Sequence, residues 1–305
     1  MNQSQWKQQF FGAICLTLAA AIWGGVYVVS KVVLDVIPPF TLLILRFAIA
    51  LIVLGAFVVA RKEYIAKKDF PMMMLIAFVG VTISIAAQFV GTKLSTAHMG
   101  ALITSASPAF IAIFAVWLLK ESVNWKQLAG ILLATIGVLI VIGVPDKADA
   151  QSSLTGNLIL LVAAVSWGLY TVLCKRATQT YSSLAVTTYV ALFGLIFTSP
   201  VMVWEMSVTP ISWSFGWEIW AGVLYIGIIS TAGAFYLWNK GFELMHAGSG
   251  AGFFFVQPIV GAALGWLLLH EHLGWGFFAG AAFIFLGVAL SNLQPTKATE
   301  QQHQT

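Results

Sequence analysis

Trp23, Tyr27 and Lys31 stand four residues apart, so a helix would carry them in line on one face. Trp167, Thr171 and Lys175 repeat that spacing, with Tyr170 beside them. Indole and phenol rings facing a cavity can stack on a planar or apolar solute, or hold a cation over the ring. The competing reading is tight helix packing, in which Gly24 and Gly168 admit a neighbour and the indoles fill space. Gln88, Ser105, Asn239 and Gln257 add neutral polar groups that could orient a solute or tie helices together. Arg46 lies inside an apolar run, where a charge costs several kcal/mol unless paired or hydrated. It could attract an anionic group such as a carboxylate, or hydrogen-bond helix-end carbonyls and fix its own helix.

Charges at the ends of apolar runs suggest a gate. Lys31 and Glu271 fall on one side of a membrane, and Lys175 and Glu121 on the other. Two ion pairs made and broken in turn would suit alternating access. The plainer reading is that Glu121 and Glu271 favour helix N-termini and the lysines snorkel to the interface. Pro108 and Pro258 interrupt apolar runs at corresponding places and read as hinges. His98 and His246 lie near run ends and read as interface residues.

What is missing also bounds the chemistry. Each of the 11 acidic residues lies near a run end or between runs, so neither a carboxylate proton relay nor a sodium cage is evident. No phosphate-binding glycine–lysine loop is present, so ATP-driven pumping by this chain is not expected. No nucleophile–base set, metal-ligand motif or cofactor motif is legible, and the chain is not expected to be an enzyme. Cys15 and Cys174 both sit in apolar segments and read as small buried hydrophobes.

The elements that must position these residues follow from composition. Of 305 residues, 60% are hydrophobic and only 9% charged. A soluble domain carries about 25% charged residues, so lipid must solvate this chain. The net charge of +4 makes no nucleic-acid patch. Ten segments are long and apolar enough to span, at roughly 11–30, 40–60, 72–92, 98–119, 126–144, 155–174, 184–204, 217–238, 248–269 and 275–293. No period-two alternation suggests a barrel, and lipid demands that backbone groups pair internally, so the segments are helices. The expected fold class is all-α integral membrane. With a cytoplasmic N-terminus, the inner side collects Lys7, Arg61, Lys62, Lys67, Lys68, Lys120, Lys126, Lys175, Arg176, Lys240 and Lys297. The outer side holds Lys31, Lys93 and Lys147, so both termini are expected inside.

The chain also repeats itself. AAAIWGGVYVVSK from Ala19 answers AAVSWGLYTVLCK from Ala163, matching at both alanines, Trp23/Trp167, Gly24/Gly168, Val28/Val172 and Lys31/Lys175. Later come Gly91/Gly241, Leu94/Leu244, Ala101/Ala251, Pro108/Pro258, Glu121/Glu271, Trp125/Trp275, Gly130/Gly280 and Gly137/Gly287. Each repeat holds five spans, an odd number, so the second copy enters the membrane from the opposite side. Residues 1–148 form the first repeat, 149–293 the second, inverted one, and 294–305 a disordered cytoplasmic tail. Inverted repeats mark secondary transporters with a site near the midplane between the halves.

These phrases, Arg46 followed by Phe47, and the stretches WLLKESVNWKQLAGILLATIGV from Trp117 and LLLHEHLGWGFFAGAAFIFLGV from Leu267 resemble the ten-helix EamA branch of the drug/metabolite transporter superfamily. The resemblance runs from Phe11 to Leu293. It implies a central cavity lined by helices 1, 3 and 4 and by 6, 8 and 9, with helices 5 and 10 as peripheral scaffold. It implies transport of amino acids, other metabolites, drugs or sugar phosphates. The expected partners are a small-molecule substrate and the lipid bilayer. The glycines seven apart in helices 5 and 10 could serve bundle packing or a homodimer. The expected function is a plasma-membrane secondary transporter that works by alternating access and exports an amino acid or similar metabolite. Efflux of cationic drugs is the alternative, and a non-transporting scaffold or receptor subunit the alternative of another class.

Overall fold

A computed structural model of the protein describes residues 3–120, 125–143, 153–245 and 250–292. Glu121, His246, the junction between the repeats and the C-terminal tail lie outside the described residues. The chain runs through α1 (Gln3–Leu34), α2 (Pro39–Arg61), α3 (Lys67–Leu94), α4 (Ala97–Leu119), α5 (Trp125–Gly143), α6 (Leu154–Ala177), α7 (Ser183–Val208), α8 (Trp217–Leu244), α9 (Ala251–Leu269) and α10 (Trp275–Asn292). There is no strand among the described residues. Eight of the helices are long and apolar enough to cross a bilayer. α5 and α10 carry shorter apolar stretches, Leu128–Gly137 and Trp275–Gly287.

The outside of the bundle is as apolar as its inside. Ile52, Val59, Leu139 and Leu268 are exposed, as are Trp117, Trp125, Trp217 and Trp275 close to helix ends. Water would not tolerate such a surface, whereas lipid tails match the aliphatics and the headgroup region suits indoles. Helix ends are satisfied locally. The Thr96, Ser153 and Ser182 side chains accept from the amides of Met99, Gly156 and Ala185 at the starts of α4, α6 and α7. α4 and α9 both end on a left-handed residue, Lys120 (φ 56°) and His270 (φ 53°), at corresponding places in the two repeats.

The two halves are interlocked. α1 packs on α8 and α9 of the second half, and α6 packs on α3 and α4 of the first. α2 lies against α7 and α8, and α3 against α6 and α7. Small residues allow the closest crossings. A Cβ on Gly24 would stand 2.7 Å from the Gln257 carbonyl of α9, and one on Gly168 would stand 2.6 Å from Phe110 of α4. α5 and α10 pair with each other at the side of the bundle. Gly137 faces the backbone of Gly280 and Ile284, with a Cβ there only 2.7 Å from the Gly280 carbonyl. The glycine face offered by sequence for a homodimer is therefore used within one chain.

Four helices depart from a regular ladder, in corresponding pairs. α3 widens into a π-helical stretch at Phe78–Ile85, and α8 does so at Tyr225–Gly233. α4 breaks between Ala97–Thr104 and Ser107–Leu119, just before Pro108. α9 opens with a tight turn at Ala251–Phe255 before Val256–Leu269, just ahead of Pro258. A proline early in a helix costs no bond there but cannot continue a preceding one. Pro108 and Pro258 thus mark true irregularities, while nothing in the residue types announces the π stretches.

Candidate functional site

The irregular parts of these helices converge on one cavity. It is lined by Trp23, Val26 and Tyr27 of α1, Arg46 of α2, Ser84, Ile85 and Gln88 of α3, Thr104 of α4, Ala163 and Trp167 of α6, Phe235 of α8, and Phe254 and Gln257 of α9. The six helices expected from the resemblance all contribute, and α2 joins them through Arg46. The space between the side chains is about 30 Å³. That accommodates one or two waters.

The repeat-related indoles meet at its centre. Trp23 and Trp167 are 5.1 Å apart between ring centroids and nearly perpendicular, at 85°. Phe235 stands edge-on to both, 5.5 Å from each. Such edge-to-face pairs place a ring's positive rim on its neighbour's negative face. The two indoles differ in their polar ends. Trp23 Nε1 donates to the Ser230 carbonyl at 3.1 Å, whereas Trp167 Nε1 is buried without a hydrogen-bond partner among the described residues.

Opposite them lies a small polar cluster. Tyr27 Oη and Thr104 Oγ1 are 2.6 Å apart, and Gln257 Nε2 donates to both at 3.0 Å. One glutamine of the second half thereby bridges α1 and α4 of the first. Gln257 Oε1 has no partner among the described residues.

Arg46 is 1% exposed. Its Nε donates to Thr231 Oγ1 at 2.8 Å and its Nη2 to Ser230 Oγ at 3.4 Å. The guanidinium lies 5.4, 5.1 and 5.8 Å from the ring centroids of Phe47, Phe89 and Phe235. Rings and hydroxyls thus spread the charge without neutralising it. The π stretch of α8 supplies both hydroxyls, and Thr231 itself donates to the Ile226 carbonyl five residues back, at 2.7 Å. Arg46 Nη1 has no partner among the described residues.

The other residues singled out from sequence lie elsewhere. Ser105 is buried at the break in α4 and donates to the Leu102 carbonyl at 2.5 Å. Asn239 donates to Thr187 Oγ1 at 2.8 Å and fastens α8 to α7. Tyr170 is buried against Trp167 at 4.7 Å and does not line the cavity. In this structure the three hold packing positions: Ser105 and Asn239 spend their polar groups on neighbours, and Tyr170 lies against Trp167. Thr104, Phe235 and Phe254 line the cavity without having been marked by any pattern. The run of aromatics around Phe235 and Trp238 was the available signal.

In this structure Lys31 and Glu271 take separate partners rather than forming the expected outer ion pair. Lys31 Nζ donates to the carbonyls of Thr92 at 3.1 Å, Lys93 at 3.2 Å and Ser95, all at the end of α3. Glu271 accepts instead from the amides of Ala97 at 2.7 Å and His98 at 3.0 Å, and pairs with His98 Nδ1 at 2.8 Å. One cation closes the C-terminus of α3 and one anion the N-terminus of α4, each satisfying orphan backbone groups and the helix dipole. On the other face Lys175 Nζ donates to the Met245 carbonyl, just past the end of α8, at 3.2 Å. Its expected partner Glu121 lies outside the described residues. Burial alone would raise the Glu271 carboxyl. The His98 hydrogen bond and charge and the two backbone amides outweigh it and hold the group below the usual carboxylate range.

Comparison with known proteins gives the same picture. The EamA-like transporter family matches the chain twice, over residues 10–143 and 154–293. An uncharacterized transporter of Bacillus subtilis, YetK, is 31% identical over 292 residues, covering 92% of this chain and 87% of the relative. An uncharacterized transporter of Archaeoglobus fulgidus is 26% identical, covering 95% and 98%. A WAT1-related protein of Arabidopsis thaliana is 25% identical, covering 94% and 83%. A crystal structure that shares 21% identity superposes with a TM-score of 0.67 over 92% of this chain and 96% of its own, and so shares the fold. Two matches in tandem, on a ten-helix membrane bundle whose halves meet at a central cavity, place this chain in the EamA-like transporter family of the drug/metabolite transporter superfamily.

Proposed function

We propose that the protein is a secondary transporter that moves a small organic solute across the plasma membrane by alternating access, and that it exports an amino acid or similar metabolite. The observation that carries this reading is the cavity itself. Seven helices from both halves line it, and its space of about 30 Å³ is enough for only one or two waters. A metabolite fits only after the halves move apart, on one side or the other. The breaks before Pro108 and Pro258 are where α4 and α9 would bend. The positive-inside pattern supports cytoplasmic termini. Aromatic walls also favour a second reading, efflux of a cationic compound. Arg46 at the cavity weighs against it.

The test is an untargeted comparison of small molecules in medium and cytoplasm. Cells overproducing the parent chain are set beside cells carrying Trp23→Ala with Trp167→Ala at equal membrane level. A solute enriched outside only with the parent supports export and identifies the cargo. Equal profiles, together with unchanged solute uptake and drug tolerance, count against transport through this cavity.

A further inference from the structure

We infer that the cavity recognises its solute by a carboxylate, with Arg46 as the residue that binds it. This rests on the transport reading above and names the class of solute. Three polar atoms of cavity-lining residues are buried without a hydrogen-bond partner among the described residues: Arg46 Nη1, Trp167 Nε1 and Gln257 Oε1. Their residues are only 1%, 7% and 1% exposed. Orphaned buried groups are costly to keep, so a ligand that meets them gains the difference. Two are donors, one of them permanently charged, and the third is an acceptor.

The electrostatics select the sign of the ligand. No Asp or Glu lines the cavity among the described residues. Arg46 hydrogen-bonds only neutral hydroxyls and makes no ion pair among the described residues. A guanidinium without a counter-ion repels a cationic solute and draws a planar oxyanion. One carboxylate oxygen would take Nη1 and the other the Trp167 N–H. Gln257 Oε1 would accept from an ammonium, amide or hydroxyl on the neighbouring carbon. The broken symmetry of the repeats fits a single anionic group, since Trp23 spends its N–H on Ser230 and Trp167 does not. Phe235, Phe254 and the two indole faces would cover an apolar remainder. A phosphate dianion would call for a second base, and among the described residues Arg46 is the only one on the wall.

Binding to the purified full-length protein in detergent tests this directly. The probes are propionate, 4-methylpentanoate and 3-phenylpropionate, each beside its primary amide, with L-phenylalanine, phenyl phosphate and tetraphenylphosphonium. At least one acid should bind about tenfold or more tightly than its amide, the scale of one charge-assisted hydrogen bond. Trp167→Phe keeps an aromatic face but removes the N–H donor, and should weaken the acid about tenfold and more than it weakens the amide. Gln257→Glu supplies Arg46 with an internal counter-ion and should abolish acid binding. Arg46→Lys should keep part of it and Arg46→Gln none. Gln257→Glu preserves shape, so the test survives if Arg46→Gln fails to fold. The inference is overturned if no acid binds, if acid and amide bind alike, or if tetraphenylphosphonium or phenyl phosphate binds tightest. None of those outcomes touches the export comparison, which reads transport whatever the cargo's charge.

Discussion

Replacing Glu271 by Gln would show how the outer end of α4 is held. The carboxylate takes three donors, the amides of Ala97 and His98 and the His98 ring, from a side chain only 6% exposed. Glutamine keeps one carbonyl oxygen and sets an amide nitrogen against the remaining donors. An N-cap acceptor is worth roughly 0.5–2 kcal/mol and a hydrogen bond to a charged group about 1.5–3 kcal/mol. Because one acceptor survives, the expected loss is about 2–3 kcal/mol at neutral pH. At roughly 2–4 °C per kcal/mol, the thermal midpoint should fall by roughly 4–12 °C. The sign of the pH dependence follows from the depressed carboxyl. The folded state binds this proton less readily than the unfolded chain. The stabilisation is therefore complete above the unfolded value of about 4.3 and fades as pH falls through the lower folded value. Thermal unfolding of both proteins in detergent, from pH 7 down to pH 3, is the assay. Other carboxylates titrate in both and cancel in the difference. The gap should be full at pH 7 and close at the acid end. A gap that is absent, or that stays constant to pH 3, would refute this account of the helix cap.

The remaining expectations are simpler. Reversing both charges, Lys31→Glu with Glu271→Lys, should not rescue either single change, because it sets a carboxylate against the carbonyls of α3 and an ammonium against the amides of α4; recovery of folded protein in the double variant would restore the ion-pair reading. Gly24→Ala should cost about 1–3 kcal/mol by overpacking α1 on α9, whereas Gly55→Ala, with nothing within 4 Å of the added carbon, should be neutral or slightly stabilising; the monodisperse fraction on size exclusion after heating separates them. Thr231→Val removes the acceptor of Arg46 Nε and should cost about 1.5–3 kcal/mol, read as a lower thermal midpoint, while Thr82→Val, whose hydroxyl has no partner, should change little.

Much of the fold was legible because lipid leaves few options. A segment either pairs its own backbone or does not span, so hydropathy locates helices well, and the matched Trp, Pro, Glu and Lys positions disclose two halves. Five of the eight residues marked for solute contact, Trp23, Tyr27, Gln88, Trp167 and Gln257, line the cavity. Ser105, Tyr170 and Asn239 do not: Ser105 and Asn239 bond neighbours on packed helices and Tyr170 lies against Trp167, and spacing alone cannot tell which residues will do so. The Lys31–Glu271 pairing misled for a related reason. The two groups lie at the same end of the bundle, but each is nearer to a helix terminus than to the other, and helix termini carry unpaired backbone groups that no side-chain pattern displays. The π stretches were hidden because their residues are ordinary helix formers. What sets them is crowding, such as Tyr170 pressed against Gly80, where an added Cβ would stand 2.1 Å from the ring.

The interlocking of the halves has a consequence for how the chain is made. Arg46 is synthesised long before the hydroxyls that receive it, which lie 184 and 185 residues further along. Trp23 waits in the same way for the Ser230 carbonyl, 207 residues on. Until α8 leaves the ribosome, α2 must enter the bilayer with an uncompensated charge, and α1 has neither α8 nor α9 to lie against. The first five helices are thus an insertion intermediate that the membrane or its insertion machinery must shelter, and the second half completes them in the manner of a dedicated chaperone carried on the same chain.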